Sequence, residues 1–352
     1  MGSSAGIGHV MIRNITIRVL LIQVMLLTFT ACGSDDEAAP DIMSPSAQEV
    51  SPQAPGRLSG VISWAYQLQD IDVDQLAASR FDLLVIDYAD DEGRPFARPE
   101  VERLQEGGRV VLAYLSIGEA ETYRPYWNPD WTAGGEGDCG AALSDAAPAW
   151  LDPVNLEWCG NYPVQFWEPA WQSIVFEYLD TIQQAGFDGV YLDKVDTFYY
   201  WLGEEDLGAS FTNTDAAVQM ADFVMAIARR AREHDAEFLI VPQNAAEIIE
   251  YLPEGQGAAY LAVIDGIGVE DTFFYPRGGA EAGNNAPYNP QGYILDLLLY
   301  YQEAGVPVFA IDYVTQPAKV ERFYAEARDW GFVPYATVRD LDRLTVNTGY
   351  DP

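Results

Sequence analysis

Gly186-Phe187-Asp188-Gly189-Val190-Tyr191-Leu192-Asp193 is the stretch from which the fold is read. Its centre is a short apolar run of β-branched and aromatic residues, the length of a buried strand rather than a helix. The residues before it, 170–184, are amphipathic with helical spacing, and Gly186 is placed to end that helix in a left-handed cap. A helix that feeds a wholly apolar strand predicts a parallel sheet with helices packed outside it.

The same alternation runs outward in both directions. Apolar runs occur at 60–66, 82–88, 109–116, 164–167, 189–193, 237–242, 263–270 and 306–312, and 331–338 is a spare ninth segment. Helical patterns lie between them at 71–79, with Asp70 as N-cap, and at 170–184, 214–233, 290–304 and 317–330. Eight such units predict a single-domain α/β fold, a (β/α)8 TIM barrel over 58–345. No GxGxxG or GxxxxGK[ST] follows a strand, which disfavours nucleotide binding. The long stretch 121–162, with Trp127, Trp131, Trp150 and Trp158, is expected to wall the barrel mouth.

The first residues do not belong to the fold. Arg13 and Arg18 lead into the apolar run 19–27, followed by Thr30-Ala31-Cys32. This is the pattern of a secretory signal over 1–31. It ends in a lipobox-like site that predicts lipidation at Cys32 and residence at the bacterial cell envelope. The Pro-, Ser- and Asp-rich residues 32–57 read as a flexible tether. With Cys32 lipidated, Cys139 and Cys159 remain as an expected disulfide in an oxidising compartment. The membrane is expected to be touched only through that lipid.

Charge narrows the partners. The formal net charge is −35, and loss of 1–31 would take it to about −37. Nucleic acid is therefore not an expected partner, because phosphate backbones demand a basic patch. A cationic ligand would be drawn to such a surface. There are only two histidines, His9 and His234, and no CxxC, so neither a zinc site nor a metal-dependent deacetylase is expected. No cofactor is expected, and the chain is read as a monomer.

In a barrel the site lies where strands end at their carboxyl tips. Reading those tips finds Trp64 and Tyr66, then Asp87, then Tyr114 with Glu119. Further on come Trp167, Tyr191 with Asp193 and Asp196, Asn244 with Glu247, Glu270, and Asp312. Almost every tip delivers a carboxylate beside an aromatic ring. Clustered acids raise one another's pKa, which lets one stay protonated while another is ionised at neutral pH. Paired carboxylates among aromatics suit glycosidic cleavage. A hard-cation site such as Ca²⁺ is the competing reading. A carbohydrate-binding protein on a barrel without activity is the competing class.

Four segments also carry a resemblance. Ser63-Trp64-Ala65-Tyr66-Gln67, Val85-Ile86-Asp87-Tyr88, Leu115-Ser116-Ile117-Gly118-Glu119 and Gly189-Val190-Tyr191-Leu192-Asp193 resemble glycoside hydrolase family 114, the endo-α-1,4-polygalactosaminidase type, over about residues 58–340. The resemblance implies a barrel hydrolase acting on a galactosamine-containing polysaccharide. It implies an aspartate ending strand five, here Asp193, as nucleophile or base, and a glutamate from a later strand as its partner. Glu270 is expected in that second place, with Glu247 as rival. Trp64, Tyr66, Tyr114, Trp167 and Tyr191 are expected to stack on sugar rings. Asp87, Glu119, Asp196, Asn244, Glu247 and Asp312 are expected to bind hydroxyls or amines.

Overall fold

The computed structural model describes residues 56–133, 141–156, 158–203, 209–276 and 283–352. The expected signal 1–31, the Cys32 anchor and Cys139 of the expected disulfide lie outside these residues. Within them the strands are, in chain order, β1 (Trp64–Gln67), β2 (Leu83–Ile86), β3 (Val110–Ser116), β4 (Glu119–Glu121) and β5 (Asn161–Pro163). β6 (Gly189–Asp193), β7 (Leu239–Pro242), β8 (Ile267–Glu270), β9 (Val308–Asp312) and β10 (Val333–Ala336) follow.

β1, β2, β3, β6 and β7 pair in that order, and β8, β9 and β10 form a second run. Every pairing in both runs is parallel. One seam between the runs carries a parallel bridge from Gln243, just after β7, to Gly268 of β8. At the other, the Trp64 indole donates to the Val333 carbonyl of β10 at 2.9 Å. Five strands and three strands thus make the eight of a (β/α)8 barrel.

Two expectations are corrected. Segment 164–167 is not a barrel strand: Val164 makes an antiparallel bridge to Leu151, and the chain then turns into the helix Pro169–Ala185. Its apolar character comes from burial under a loop, with Val164 and Phe166 fully enclosed. The spare segment instead supplies the eighth strand, as β10. Asp193 therefore ends the fourth barrel strand, and Glu270 the sixth. Asp70 is also not the first N-cap. Asp72 is, accepting from the amides of Asp74 and Gln75 at 2.9 and 3.2 Å.

The helix Pro169–Ala185 shows why the alternation was readable. Proline opens it, Gly186 closes it at φ 89°, and Trp171, Val175, Leu179 and Ile182 bury one face. Gly189 then starts β6 where a Cβ would fall 2.3 Å from the Leu239 carbonyl oxygen. No larger residue fits that approach of β6 to β7.

The barrel is filled rather than hollow. Trp64 packs on Tyr66, Tyr191, Phe309 and Tyr335 with ring centres 5.6 to 6.2 Å apart. Between the third and fourth barrel strands the long loop closes on itself through the antiparallel pair β4–β5. Its tryptophans pack together: Trp131 lies 5.1 Å from Trp127 and 5.5 Å from Trp150.

Candidate active site

β3 and β6 lie in register with Tyr114 opposite Tyr191 and Ser116 opposite Asp193. Strand alternation therefore sends Tyr191 and Asp193 to the same face. On β8, Gly268 and Glu270 share a face in the same way. A Cβ on Gly268 would sit 1.8 Å from the Tyr191 hydroxyl oxygen, so this glycine makes room for that ring beneath Glu270. Tyr66, whose hydroxyl donates to Gln243 Oε1 at 3.1 Å, meets Tyr191 with ring centres 5.1 Å apart. The negative charges of Asp193 and Glu270 both bear on Tyr66 and on Tyr191. The two carboxylates thus stand over one floor of buried phenols.

Each is held by donors. Asp193 accepts from the Lys194 amide at 2.7 Å through Oδ1 and from the Tyr114 hydroxyl at 2.8 Å through Oδ2. Glu270 accepts from Asn244 Nδ2 at 2.9 Å and from the Tyr313 hydroxyl, and its own amide donates to Asn244 Oδ1 at 3.0 Å. Burial pushes the Asp193 carboxyl up to about 7. Lys194 and the Tyr114 hydrogen bond pull it down, while Glu270 and Asp196 push it further up. Burial and the neighbouring negative charges thus outweigh the cation and leave Asp193 poised close to neutral pH.

The backbone around the pair is strained. Lys194, Asn244, Ala245 and Asp271 have φ of 61°, 59°, 55° and 52°, a region that residues with a Cβ seldom adopt. Lys194 and Asp271 directly follow the tips of β6 and β8, and Asn244 and Ala245 lie just past the tip of β7. Such conformations cost on the order of 1–3 kcal/mol each and persist only where surrounding contacts over-determine them.

Ion pairs surround the centre. Burial alone would discharge Lys194, but Glu119, Asp196 and Asp193 hold its ammonium well above the ordinary lysine range. It lies 3.2 Å from Glu119 Oε1, which also accepts from Asn155 at 3.0 Å. Gly118 allows this contact of loops, because a Cβ there would fall 2.1 Å from the Lys194 carbonyl. Arg124 bridges Glu121 at 2.6 Å and Asp87 at 2.9 Å. Arg339 pairs with Asp271 at 2.5 Å and lies over the Tyr313 ring, 4.0 Å from its centre.

The structure thus brings together Asp193, Glu270, Tyr114 and Asn244, with Tyr66 and Tyr191 beneath them. Asp87 and Glu119 belong to the ion pairs. Asp196 lies at the partly open edge, 4.0 Å from the Lys194 ammonium. Glu247 is raised by burial and lies near Asp196 and Tyr199. Trp167 is half-buried against Trp201, with ring centres 5.1 Å apart.

Four residues are not what the sequence suggested. Trp64, Tyr66 and Tyr191 are 0%, 1% and 0% exposed, so they are barrel filling and offer no face to a sugar. Asp312 is also fully enclosed. It accepts from the amides of Thr272, Phe273 and Phe274 at 2.8, 3.1 and 2.9 Å and ties down the segment after β8.

Residues passed over include Tyr313, Glu121, Arg124 and Arg339. For Tyr313 the signal was strand parity. Phe309 faces Trp64 inside the barrel, so Tyr313, four residues on, shares that face, and Asp312 does not.

The sequence model of glycoside-hydrolase family GH114 matches residues 45–350. An uncharacterized protein of Methanocaldococcus jannaschii is 38% identical over 295 residues, 81% of this chain and 78% of the relative. Among solved structures, the glycoside hydrolase domain of PelA from Pseudomonas aeruginosa superimposes with a TM-score of 0.58 at 21% identity. It covers 82% of this chain and 98% of that domain. Aspergillus fumigatus Ega3 in complex with galactosamine gives 0.55 at 18% identity, covering 83% and 98%. Both structures share the fold.

Proposed function

This chain belongs to glycoside-hydrolase family GH114, and on that premise we propose that it cleaves α-glycosidic bonds in a galactosamine-containing polysaccharide, with Asp193 and Glu270 as its catalytic carboxylates. The observation that carries this reading is the two acids over one phenol floor, each gripped through both oxygens.

In the proposed reaction Glu270 gives a proton to the glycosidic oxygen as the bond to the anomeric carbon breaks. Ionised Asp193 faces the positive charge that develops on the sugar, as nucleophile or as base for water. The donors on Asp193 favour its ionised form, as that role requires. Free amines make a galactosamine polymer cationic, and the acidic surface would attract it. The galactosamine seen with Ega3 supports the same substrate class. We further propose that Cys32 is lipidated and holds the enzyme at the cell envelope through the 32–57 tether. Palmitate labelling that persisted in Cys32→Ala would refute the anchor.

The test is incubation of the purified protein with a panel of amino-sugar polymers, scored by mass spectrometry of the products. Asp193→Asn and Glu270→Gln are each expected to lower kcat by about 10³-fold or more, the scale of a lost acid, base or nucleophile. Glu247→Gln is expected to act mainly on KM. Binding without product from any polymer would favour a carbohydrate-binding role instead.

A further inference from the structure

The Tyr114 hydroxyl touches two carboxylates. It lies 2.8 Å from Asp193 Oδ2 and 3.2 Å from Glu121 Oε1. A phenol has one hydrogen to donate and can also accept, so it serves the two acids one at a time. Glu121 is 2% exposed and fixed in place. Arg124 Nε donates to its Oε2 at 2.6 Å, and the Tyr123 hydroxyl donates to its Oε1 at 2.6 Å. Arg124 is anchored in turn on Asp87. Beside Tyr114, Glu121, Arg124 and Tyr126 there is a void of only about 10 Å³, room for one water at most. The second acceptor behind Tyr114 is therefore the protein itself.

We propose that Tyr114 is a positioning residue with two hydrogen-bond states. While Asp193 is ionised, the Tyr114 hydrogen points at Asp193 Oδ2. When Asp193 takes up a proton, its own O–H donates to the Tyr114 oxygen, and the Tyr114 hydrogen turns to Glu121 Oε1. No hydrogen bond is lost in either state, and no bond breaks except that of the incoming proton to its donor. Glu121, held by Arg124, thereby competes for the hydrogen that steadies ionised Asp193.

The other groups facing Asp193 do not offer this exchange. Lys194 and Asp196 come from its own loop and Glu270 from β8, and they act through charge. The Tyr66 hydroxyl is committed to Gln243. The Tyr191 hydroxyl is packed under Gly268 and has no hydrogen-bond partner among the described residues.

The kinetic consequence rests on the reading of Asp193 as catalytic, but the hydrogen-bond exchange does not. The test is therefore a ¹³C-carboxyl NMR titration of Asp193, assigned by its loss in Asp193→Asn, alongside the pH profile of kcat/KM. Tyr114→Phe is expected to raise the Asp193 midpoint by up to about one pH unit, the scale of one lost hydrogen bond. It should lower kcat with KM little changed.

Tyr123→Phe does not touch Asp193 and is exposed enough to fold. It frees Glu121 to draw the Tyr114 hydrogen, so it should raise the midpoint by a smaller step. Glu121→Gln removes the competing charge and should lower it. An unmoved midpoint in Tyr114→Phe, or one that moves the same way in Glu121→Gln, overturns the proposal. Absence of product from wild-type protein would refute the proposed function while leaving the titration to decide the exchange.

Discussion

Lys194 stands next to Asp193 in a left-handed backbone, its ammonium against a carboxylate that is 3% exposed at the side chain. Removing one partner of such a pair leaves the other charge stranded. Lys194→Met is therefore expected to cost about 3 kcal/mol, read by urea denaturation. The same change removes a cation that favours the ionised form of Asp193, so the acid limb of the activity profile should move to higher pH. An unchanged profile would mean that the ammonium does not reach Asp193. That Asp193 ends a strand was legible from its run of apolar neighbours. That Lys194 would turn back toward Glu119 was not, because the two meet across loops after different strands.

At the scale of elements, the turn Asp271–Phe274 that follows β8 depends on β9. Three consecutive amides converge on the carboxylate of Asp312. Asp312→Ala strands buried donors and is expected to cost on the order of 3 kcal/mol. Because this segment begins one residue after Glu270, kcat should fall as well, although Asp312 touches no substrate. Comparing kcat with the urea midpoint checks this. A variant that lost stability with full kcat would separate the cap from the site.

The same pair of strands shows where reading by pattern stops. Residues 306–312 announce a buried strand, but the placement of Asp312 outside and Tyr313 inside follows from which face meets Trp64. Segments 164–167 and 331–338 are both apolar because both are buried. Only one of them finds parallel partners, Val333 to Ala336 against Phe309 to Asp312.

For the whole molecule, the site carries a stability cost that depends on pH. Asp193 and Asp271 are raised to about 7 and about 6, in both cases first by burial. The unfolded values lie near 4. Between about pH 4 and 7 the folded chain thus binds more protons than the unfolded one, and this contribution to stability falls as pH rises through that window. Asp193→Asn cannot ionise, so it should raise Tm at pH 8 by several degrees and flatten the fall in Tm between pH 5 and 8. Thermal melts across that range test the sign. A Tm lowered by the substitution would contradict it. A net charge of −35 also predicts that Tm rises with NaCl, as self-repulsion is screened.

The sequence alone determined the layered order of strands and helices, the barrel they imply and the row of acids at strand tips, because hydrophobic period and turn residues are local properties of the chain; the resemblance to the family singled out Asp193 and Glu270 from that row. Tertiary structure decided which apolar segment closes the ring, which rings fill the barrel rather than face a ligand, and which carboxylates are bound by arginine, lysine or backbone amides. Those outcomes depend on contacts between residues far apart in sequence. Apolar character reports that a segment is buried, whereas pairing register and strand parity determine what it is buried against.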